Sequence, residues 1–131
     1  MKKIGILNQP ISAVVAGLGH MDTLVVADAG LPIPPETQRI DLALTAGIPS
    51  FLDTLRVVLE EMQVERAIVA EEMIEVSPDV YEAVQELLGD APIETETHLI
   101  FKERTRSSRA VIRTGEFTPY ANVILVAGVT F

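Results

Sequence analysis

The sequence predicts a single-domain α/β protein, a three-layer α/β/α sandwich built around a mostly parallel or mixed sheet. The length of 131 residues suits one domain, and 48% of the residues are hydrophobic, enough for a substantial core. Short apolar runs alternate with segments of helical period, which is typical of helices packed on a sheet. Glycine and proline separate these segments without any linker or repeat. We therefore expect residues 1–131 to form one domain.

The first part of the chain predicts a short helix followed by a buried strand. Residues 11–18 are expected to form the helix after Pro10, with Gly19 closing it in a left-handed conformation. Residues 23–27 read Thr-Leu-Val-Val-Ala, an apolar run typical of a strand that crosses a sheet interior. Residues 39–44 fit either a short edge strand or an extended loop.

The middle of the chain predicts two helices around a strand. A helix is expected from Pro49, because apolar residues recur there at spacings of three and four, at Leu52, Leu55, Leu59 and Met62. Residues 65–70 read as the next strand. Ser77 and Pro78 predict an N-cap and a first helical position, and Gly89 predicts the end of that helix.

The last third predicts a helix, a strand, a long turn and a final strand. Residues 98–106 are polar and compatible with a helix. Residues 110–114 form an apolar strand pattern, and residues 115–122 contain the glycine, proline and asparagine that favour a turn. Residues 123–126 are the final apolar run.

The charge and composition exclude several classes of partner. Nineteen acidic and ten basic residues give a formal net charge of -9, which disfavours phosphate backbones and anionic membranes, so we expect no nucleic acid and no membrane partner. The chain has no cysteine, which removes disulfides and thiolate catalysis and fits a cytoplasmic location. Its high apolar content without a membrane segment predicts a homo-oligomer.

Familiar catalytic signatures are absent from the sequence. There is no nucleophile elbow, no Walker loop and no dinucleotide fingerprint, since Gly17-Leu-Gly19 lacks the third glycine and a preceding strand. The two histidines, His20 and His98, lie in no recognisable metal-ligand spacing. We therefore expect no cofactor and no metal.

Two polar residues flank the predicted strand at residues 23–27. His20 lies in the turn before it, and an imidazole can both donate and accept a proton near neutral pH. Asp28 follows the strand, at the edge of an α/β sheet where ligands bind. The alternatives are a surface histidine and a carboxylate that caps its turn by bonding the amide of Gly30.

Further polar candidates lie about a hundred residues downstream. His98 and Lys102 share a face if their segment is helical, and Arg106 extends that face or belongs to a solvated basic surface. Tyr120 and Asn122 point the same way if their segment is extended. A phenol and an amide together suit the recognition of sugar hydroxyls, although they can also simply close a turn.

These residues carry a resemblance to a known family. Gly19-His20, Ala27-Asp-Ala-Gly-Leu-Pro32 and Arg113-Thr-Gly-Glu-Phe-Thr-Pro-Tyr-Ala-Asn122 resemble the ribose pyranase and fucose mutarotase family. The resemblance extends along the whole chain, while residues 57–97 contain no diagnostic motif.

The resemblance implies a cytoplasmic, ring-shaped homodecamer with its sites in clefts between subunits. It implies interconversion of the pyranose and furanose forms of free D-ribose. His20 would be the acid-base residue, and the sugar contacts would be Asp28, His98, Tyr120 and Asn122, with Lys102 as a further member. We expect Asp28 to orient His20 or support it electrostatically.

Three other interpretations remain open at the level of the sequence, and one of them, a purely structural oligomer module, leaves the polar residues around the two turns unexplained. A mutarotase of the same family could act on fucose or another sugar, because pocket shape is not visible in the sequence. A non-catalytic sugar-binding accessory protein would bind ribose without accelerating its ring exchange.

Overall fold

The computed structural model describes residues 1–131, which form one α/β unit around a six-stranded sheet. The strands are β1 (Thr23–Ala27), β2 (Gln38–Asp41), β3 (Val64–Ala70), β4 (Ile93–Glu96), β5 (Ala110–Arg113) and β6 (Val123–Ala127). Their order in the sheet is β2-β5-β1-β6-β3-β4. Five strands run parallel, and β6 runs antiparallel between β1 and β3. The predicted α/β class with a mixed sheet is confirmed.

Helices cover both faces of this sheet. They are α1 (Gln9–Gly17), α2 (Phe51–Leu59), α3 (Glu71–Val76), α4 (Pro78–Leu88) and α5 (His98–Arg104), which continues into a 3₁₀ turn at Thr105–Ser107. A core cluster of 20 buried residues joins α1, α2, α3 and α4 to one face. A smaller cluster of 8 residues includes Phe101 of α5 on the other face. The molecule therefore has three layers.

The central strands are buried because they are apolar on both sides. Along β1, Leu24 and Val26 face the larger cluster, while Val25 and Ala27 face the smaller one. The five residues of β6 are likewise all buried. Burying each large aliphatic side chain contributes about 1.5–3 kcal/mol, so these two strands anchor the sheet.

The helix predicted from Pro49 begins at Phe51. Ser50 is its N-cap and accepts a hydrogen bond from the amide of Asp53 at 3.1 Å. Its fully buried face contains Phe51, Leu55 and Val58, whereas Leu52 and Leu59 of the predicted stripe are only half-buried. The buried face is therefore rotated relative to the predicted stripe. It includes Phe51, which the predicted pattern did not contain.

The end of α1 and the capping bond of α4 differ from the prediction, although Ser77 and Pro78 are the N-cap and the first residue of α4 as predicted. Gly19 does not close α1 in a left-handed conformation: Leu18 ends the helix with extended backbone, and Met21 adopts the left-handed φ of 71°. The side chain of Ser77 does not cap α4, since its hydroxyl donates to the carbonyl of Pro119 at 2.7 Å. Gly89 ends α4 as predicted, with φ of 59°.

The structure also decides the open segments and adds two elements. The edge strand β2 (Gln38–Asp41) covers the first three residues of 39–44, and residues 98–106 contain α5. The sequence interpretation missed α3 and β4. None of the helices has the length and apolar character needed to cross a bilayer.

Candidate functional site

Asp28 follows β1 at the carboxyl edge of the sheet and is held by Asn122. The amide of Asp28 donates to Asn122 Oδ1 at 2.8 Å, and Asn122 Nδ2 donates to Asp28 Oδ2 at 2.8 Å. The other carboxylate oxygen accepts from the amide of Gly30 at 2.9 Å, as the turn-capping alternative predicts. Asn122 is completely buried, so both ends of its side chain are committed to Asp28.

Three residues that the sequence interpretation did not select support this turn. Thr114 donates through its hydroxyl to the carbonyl of Ala27 at 2.7 Å. Arg113 donates from Nε to the carbonyl of Ala29 at 3.0 Å, and the carbonyl of Glu116 accepts from the amide of Ala29 at 2.8 Å. All three belong to the segment 113–122, which carries the family resemblance. Their position in this segment is the sequence signal that could have identified them as supporting residues.

His98 lies beside Asp28, at the first residue of α5. Its backbone amide donates to the carboxylate of Glu72, with the shorter distance at 2.9 Å. Its ring and the ring of Tyr120 form a T-shaped contact, with the centroids 5.0 Å apart and the planes at 84°. His98 Nδ1 is buried without a hydrogen-bond partner in the chain. Such a buried polar atom costs about 1–3 kcal/mol if nothing binds it, so this ring suits a polar ligand.

The surroundings of His98 favour its neutral form. Burial lowers the pKa of His98 below its ordinary value, and the positive charge of Lys102 lowers it further. The carboxylates of Glu72 and Asp28 act in the opposite direction but more weakly. A neutral imidazole can donate and accept hydrogen bonds at once, which matches a sugar hydroxyl.

A cleft of about 260 Å³ opens at this point, and its lining includes Asp28, His98 and Tyr120. An adjoining cleft of about 350 Å³ shares Asp28 and is lined also by Arg113 and Phe117. Together they offer carboxylate, imidazole, phenol and guanidinium groups around one turn. This arrangement can bind a small polyhydroxylated ligand.

The structure brings Tyr120 and Asn122 to one site, but not by the predicted alternation of an extended segment. Tyr120 has a left-handed φ of 62°, so the backbone turns between the two residues. The Tyr120 ring therefore lines the cleft, while Asn122 lies buried against Asp28. The prediction of extended backbone at this position is wrong.

The other predicted basic residues separate into two groups. Lys102 is on α5 with His98, and its charge acts on that ring, as the helical spacing predicts. Arg106 lies in the 3₁₀ turn and pairs with Glu36 at 2.9 Å and Glu103 at 3.2 Å. Arg106 thus belongs to a solvated ion-pair network instead of extending the face of His98.

His20 lies at the other end of β1 from Asp28, just before the strand begins. The whole of β1 separates it from Asp28, which is about 17 Å at the usual rise of a strand. Within one chain Asp28 therefore cannot orient His20, contrary to our expectation. His20 instead contacts Glu65, with Nε2 and Oε2 2.6 Å apart, and faces a cleft of about 470 Å³ that is lined also by Phe131.

The turn that carries His20 is well braced. The carboxylate of Asp22 accepts from the amide of Gly19 at 2.8 Å and pairs with Arg109 at 2.9 Å. The amide of Met21 donates to the carbonyl of Ala127 at the end of β6. His20 is therefore presented from a rigid turn, with half of its side chain exposed.

No group of three or more histidine, aspartate and glutamate side chains is arranged to hold a metal ion. The polar side chains that line the three clefts can form hydrogen bonds and transfer protons.

Curated relatives match the chain along its full length. The D-ribose pyranase of Laribacter hongkongensis is 56% identical over 131 residues, and the alignment covers 100% of both chains. The D-ribose pyranase of Chloroflexus aggregans is 55% identical, also with full coverage of both chains.

Solved structures agree with these sequence relations. The Bacillus subtilis RbsD complexed with D-ribose is 49% identical, has a TM-score of 0.97 and is covered completely in both chains. The fucose mutarotase of Streptococcus pneumoniae, in complex with L-fucose, shares the fold with a TM-score of 0.83 but is only 22% identical, with both chains covered completely. The family model described as the RbsD / FucU transport protein family matches residues 1–130, and the chain belongs to this family.

Proposed function

We propose that this protein is a D-ribose pyranase, an isomerase that interconverts the pyranose and furanose forms of free D-ribose. The observation that carries the proposal is the full-length identity of 56% to a curated D-ribose pyranase. The relation to a ribose-bound structure at 49% identity and a TM-score of 0.97 supports the same substrate. The polar groups around Asp28 are the kind that a pentose requires.

The reaction needs only proton transfer. The pyranose opens when the anomeric hydroxyl loses a proton, the bond between C1 and the ring oxygen breaks, and that oxygen gains a proton. The open-chain aldehyde then closes when a different hydroxyl attacks C1 and loses its proton while the carbonyl oxygen gains one. A positioned acid-base group typically contributes about 10²–10⁴-fold to such steps.

In the proposed mechanism His20 transfers these protons. Asp28, His98 and Tyr120 bind the sugar hydroxyls, and Lys102 stabilises negative charge on oxygen as the ring opens. Asn122 acts by holding Asp28 in place, because its own side chain is buried and committed to that carboxylate. No cofactor or metal takes part in this scheme.

We propose further that the complete site forms between subunits of a ring-shaped homodecamer in the cytoplasm. Within one chain His20 and Asp28 lie at opposite edges of the sheet, so a second subunit must supply one of them. Exposed apolar side chains flank both parts of the proposed site, the part around Asp28 and the part around His20. Phe117 is 71% exposed beside Asp28, and Phe131 is fully exposed beside His20. Surfaces of this kind commonly mark protein interfaces.

Ribose is favoured over fucose by the relative identities. The ribose-bound relative is 49% identical, whereas the fucose mutarotase at 22% supports only the fold. The wild-type protein should therefore exchange D-ribose faster than L-fucose.

Saturation-transfer NMR on the anomeric signals of D-ribose tests the function. Wild-type protein should accelerate exchange between pyranose and furanose forms, and His20→Ala should lose about 10²–10⁴-fold of that acceleration while keeping its oligomeric state. Asp28→Asn should weaken ribose binding because the carboxylate charge facing the cleft is lost.

Two outcomes would contradict the proposal. Ribose binding without any accelerated exchange by the wild-type protein would indicate the accessory sugar-binding function. Unchanged exchange in His20→Ala would remove this residue from the mechanism.

A further inference from the structure

Glu65 occupies an irregular position in β3, next to the turn that carries His20. Val64 pairs with Ala127 and Arg66 pairs with Val126, so Glu65 is an extra residue opposite one step of β6. A β-bulge of this kind redirects a side chain and is common beside active sites. Here the redirected carboxylate reaches the His20 ring, with Oε2 2.6 Å from Nε2.

The backbone around the bulge is tightly packed. A Cβ atom at Gly128 would lie 3.2 Å from the amide nitrogen of Glu65, so the absent side chain lets the end of β6 lie close to β3. The amide of Gly128 donates to the carbonyl of Gln63 at 2.9 Å. The carboxylate of Glu65 is therefore presented from fixed backbone.

The contact decides which ring nitrogen of His20 is free. A carboxylate only accepts hydrogen bonds, so Nε2 must carry a proton to bond Glu65 Oε2. The neutral ring then has its lone pair on Nδ1. The second oxygen of Glu65 lies 3.5 Å from the guanidinium of Arg66, which supplies a nearby positive charge to the carboxylate.

We propose that Glu65 is a positioning residue for His20, and this inference rests on the proposed function. Glu65 fixes the tautomer and orientation of the ring, so that Nδ1 is the atom that accepts a proton from the sugar and returns it. While Nδ1 holds that proton, the imidazolium charge faces the Glu65 carboxylate. The same pairing of a carboxylate and a histidine serves general-base catalysis in unrelated enzymes.

The alternative is that Glu65 and His20 form an ordinary surface ion pair, whose removal would leave kcat unchanged. Exposed ion pairs typically contribute only about 0–1 kcal/mol to stability. The bulge distinguishes Glu65 from such pairs. In a regular strand each residue has a partner on β6, whereas Glu65 is an extra residue without one. The ring itself has no other hydrogen-bond partner in the chain.

The test combines NMR of the histidine ring with exchange kinetics on full-length Glu65→Gln. An amide can present either oxygen or nitrogen to the ring, so it does not select a tautomer. Only two histidines are present, and ¹⁵N-histidine spectra assigned with His98→Asn therefore report His20 directly. In its neutral form the wild-type His20 ring should carry its proton on Nε2.

Glu65→Gln should lose this single protonation pattern, and its kcat for ribose exchange should fall about 10- to 100-fold with an unchanged KM. Glu65→Asp, which keeps the charge on a shorter side chain, should recover part of the kcat. Glu94→Gln is the matched control, because Glu94 also pairs with Arg66, at 3.2 Å, but does not contact His20. That control should keep both the wild-type ring spectrum and the wild-type kcat.

A wild-type His20 that carries no proton on Nε2 would overturn the inference, as would a Glu65→Gln variant with wild-type kcat. Failure of the proposed function gives a different result. In that case the wild-type protein does not accelerate ribose exchange at all, while the ring spectra of wild type and Glu65→Gln still report whether Glu65 fixes the tautomer.

Discussion

At the scale of single residues, His98 links the electrostatics of the site to the stability of the fold. Burial and the charge of Lys102 lower its pKa in the folded protein, whereas the unfolded chain has the ordinary value of about 6.5. Between these two values the unfolded state binds more protons than the folded state. The free energy of unfolding therefore decreases as the pH falls through this window.

We expect the contribution of His98 to this pH dependence to disappear in His98→Asn. Chemical denaturation of the wild type at about pH 7.5 and about pH 5.5 should show a loss of stability at the lower pH, and the variant should show a smaller loss. Equal losses in the two proteins would contradict the assigned direction of the pKa shift.

The sequence predicted individual site residues where they follow a strand or share a helical face. Asp28 was identified because an apolar strand ends just before it, and His98 with Lys102 because they are four residues apart. The carboxylates that position the histidines gave no such signal. Glu65 is 45 positions from His20, and Glu72 is 26 positions from His98, so only the tertiary fold brings these pairs together.

At the scale of elements, Gly115 joins β5 to the turn that supports Asp28. A Cβ atom at this position would lie 2.3 Å from the carbonyl oxygen of Ile48 and 2.5 Å from that of Thr45. Both atoms belong to backbone, which cannot move as freely as a side-chain end. The close approach allows the amide of Gly47 to donate to the carbonyl of Gly115 at 2.6 Å.

Gly115→Ala should therefore destabilise the protein by about 1–3 kcal/mol and weaken ribose binding, because the neighbouring Glu116 supports Ala29. Gly17→Ala is the control, since a Cβ atom there meets nothing within 4 Å, and its stability should stay within about 0.5 kcal/mol or rise. Thermal unfolding and ribose titration measure both effects. A Gly115→Ala protein as stable as the control would show that the loop relaxes freely.

Elements with a strong local pattern were predicted well. The strand at residues 23–27 matches β1, and the final apolar run matches β6 within one residue. The edge strand β4 was missed because Ile-Glu-Thr-Glu has little apolar character, and α3 because it follows β3 without any turn residue. The antiparallel insertion of β6 between β1 and β3 depends on long-range pairing, which no local pattern encodes.

At the scale of the whole molecule, the proposed site between subunits makes activity a property of the assembly, because His20 and Asp28 lie at opposite ends of β1. Co-expression of His20→Ala and Asp28→Asn should produce mixed oligomers in which some interfaces join two intact halves. If subunits mix randomly in equal amounts, about one quarter of the sites should be complete. Ribose exchange should then exceed that of either variant alone.

Exchange no higher than that of the separate variants would contradict the shared site, provided that mass spectrometry confirms mixed oligomers. A second co-expression, with wild-type subunits, separates this question from the mechanism. His20→Ala mixed with wild-type subunits should lose activity in proportion to its share of the subunits.

The antiparallel course of β6 has a consequence for how many subunits can be active. This strand starts next to Asn122, beside the turn of Asp28, and ends at Ala127, whose carbonyl accepts from the amide of Met21 in the turn of His20. Each subunit thus offers one half-site at each edge of a rigid body of fixed length. If such subunits join head to tail, an open row always leaves one half-site unmatched at each end. A closed ring has no unmatched half-sites, so every subunit contributes to two complete sites.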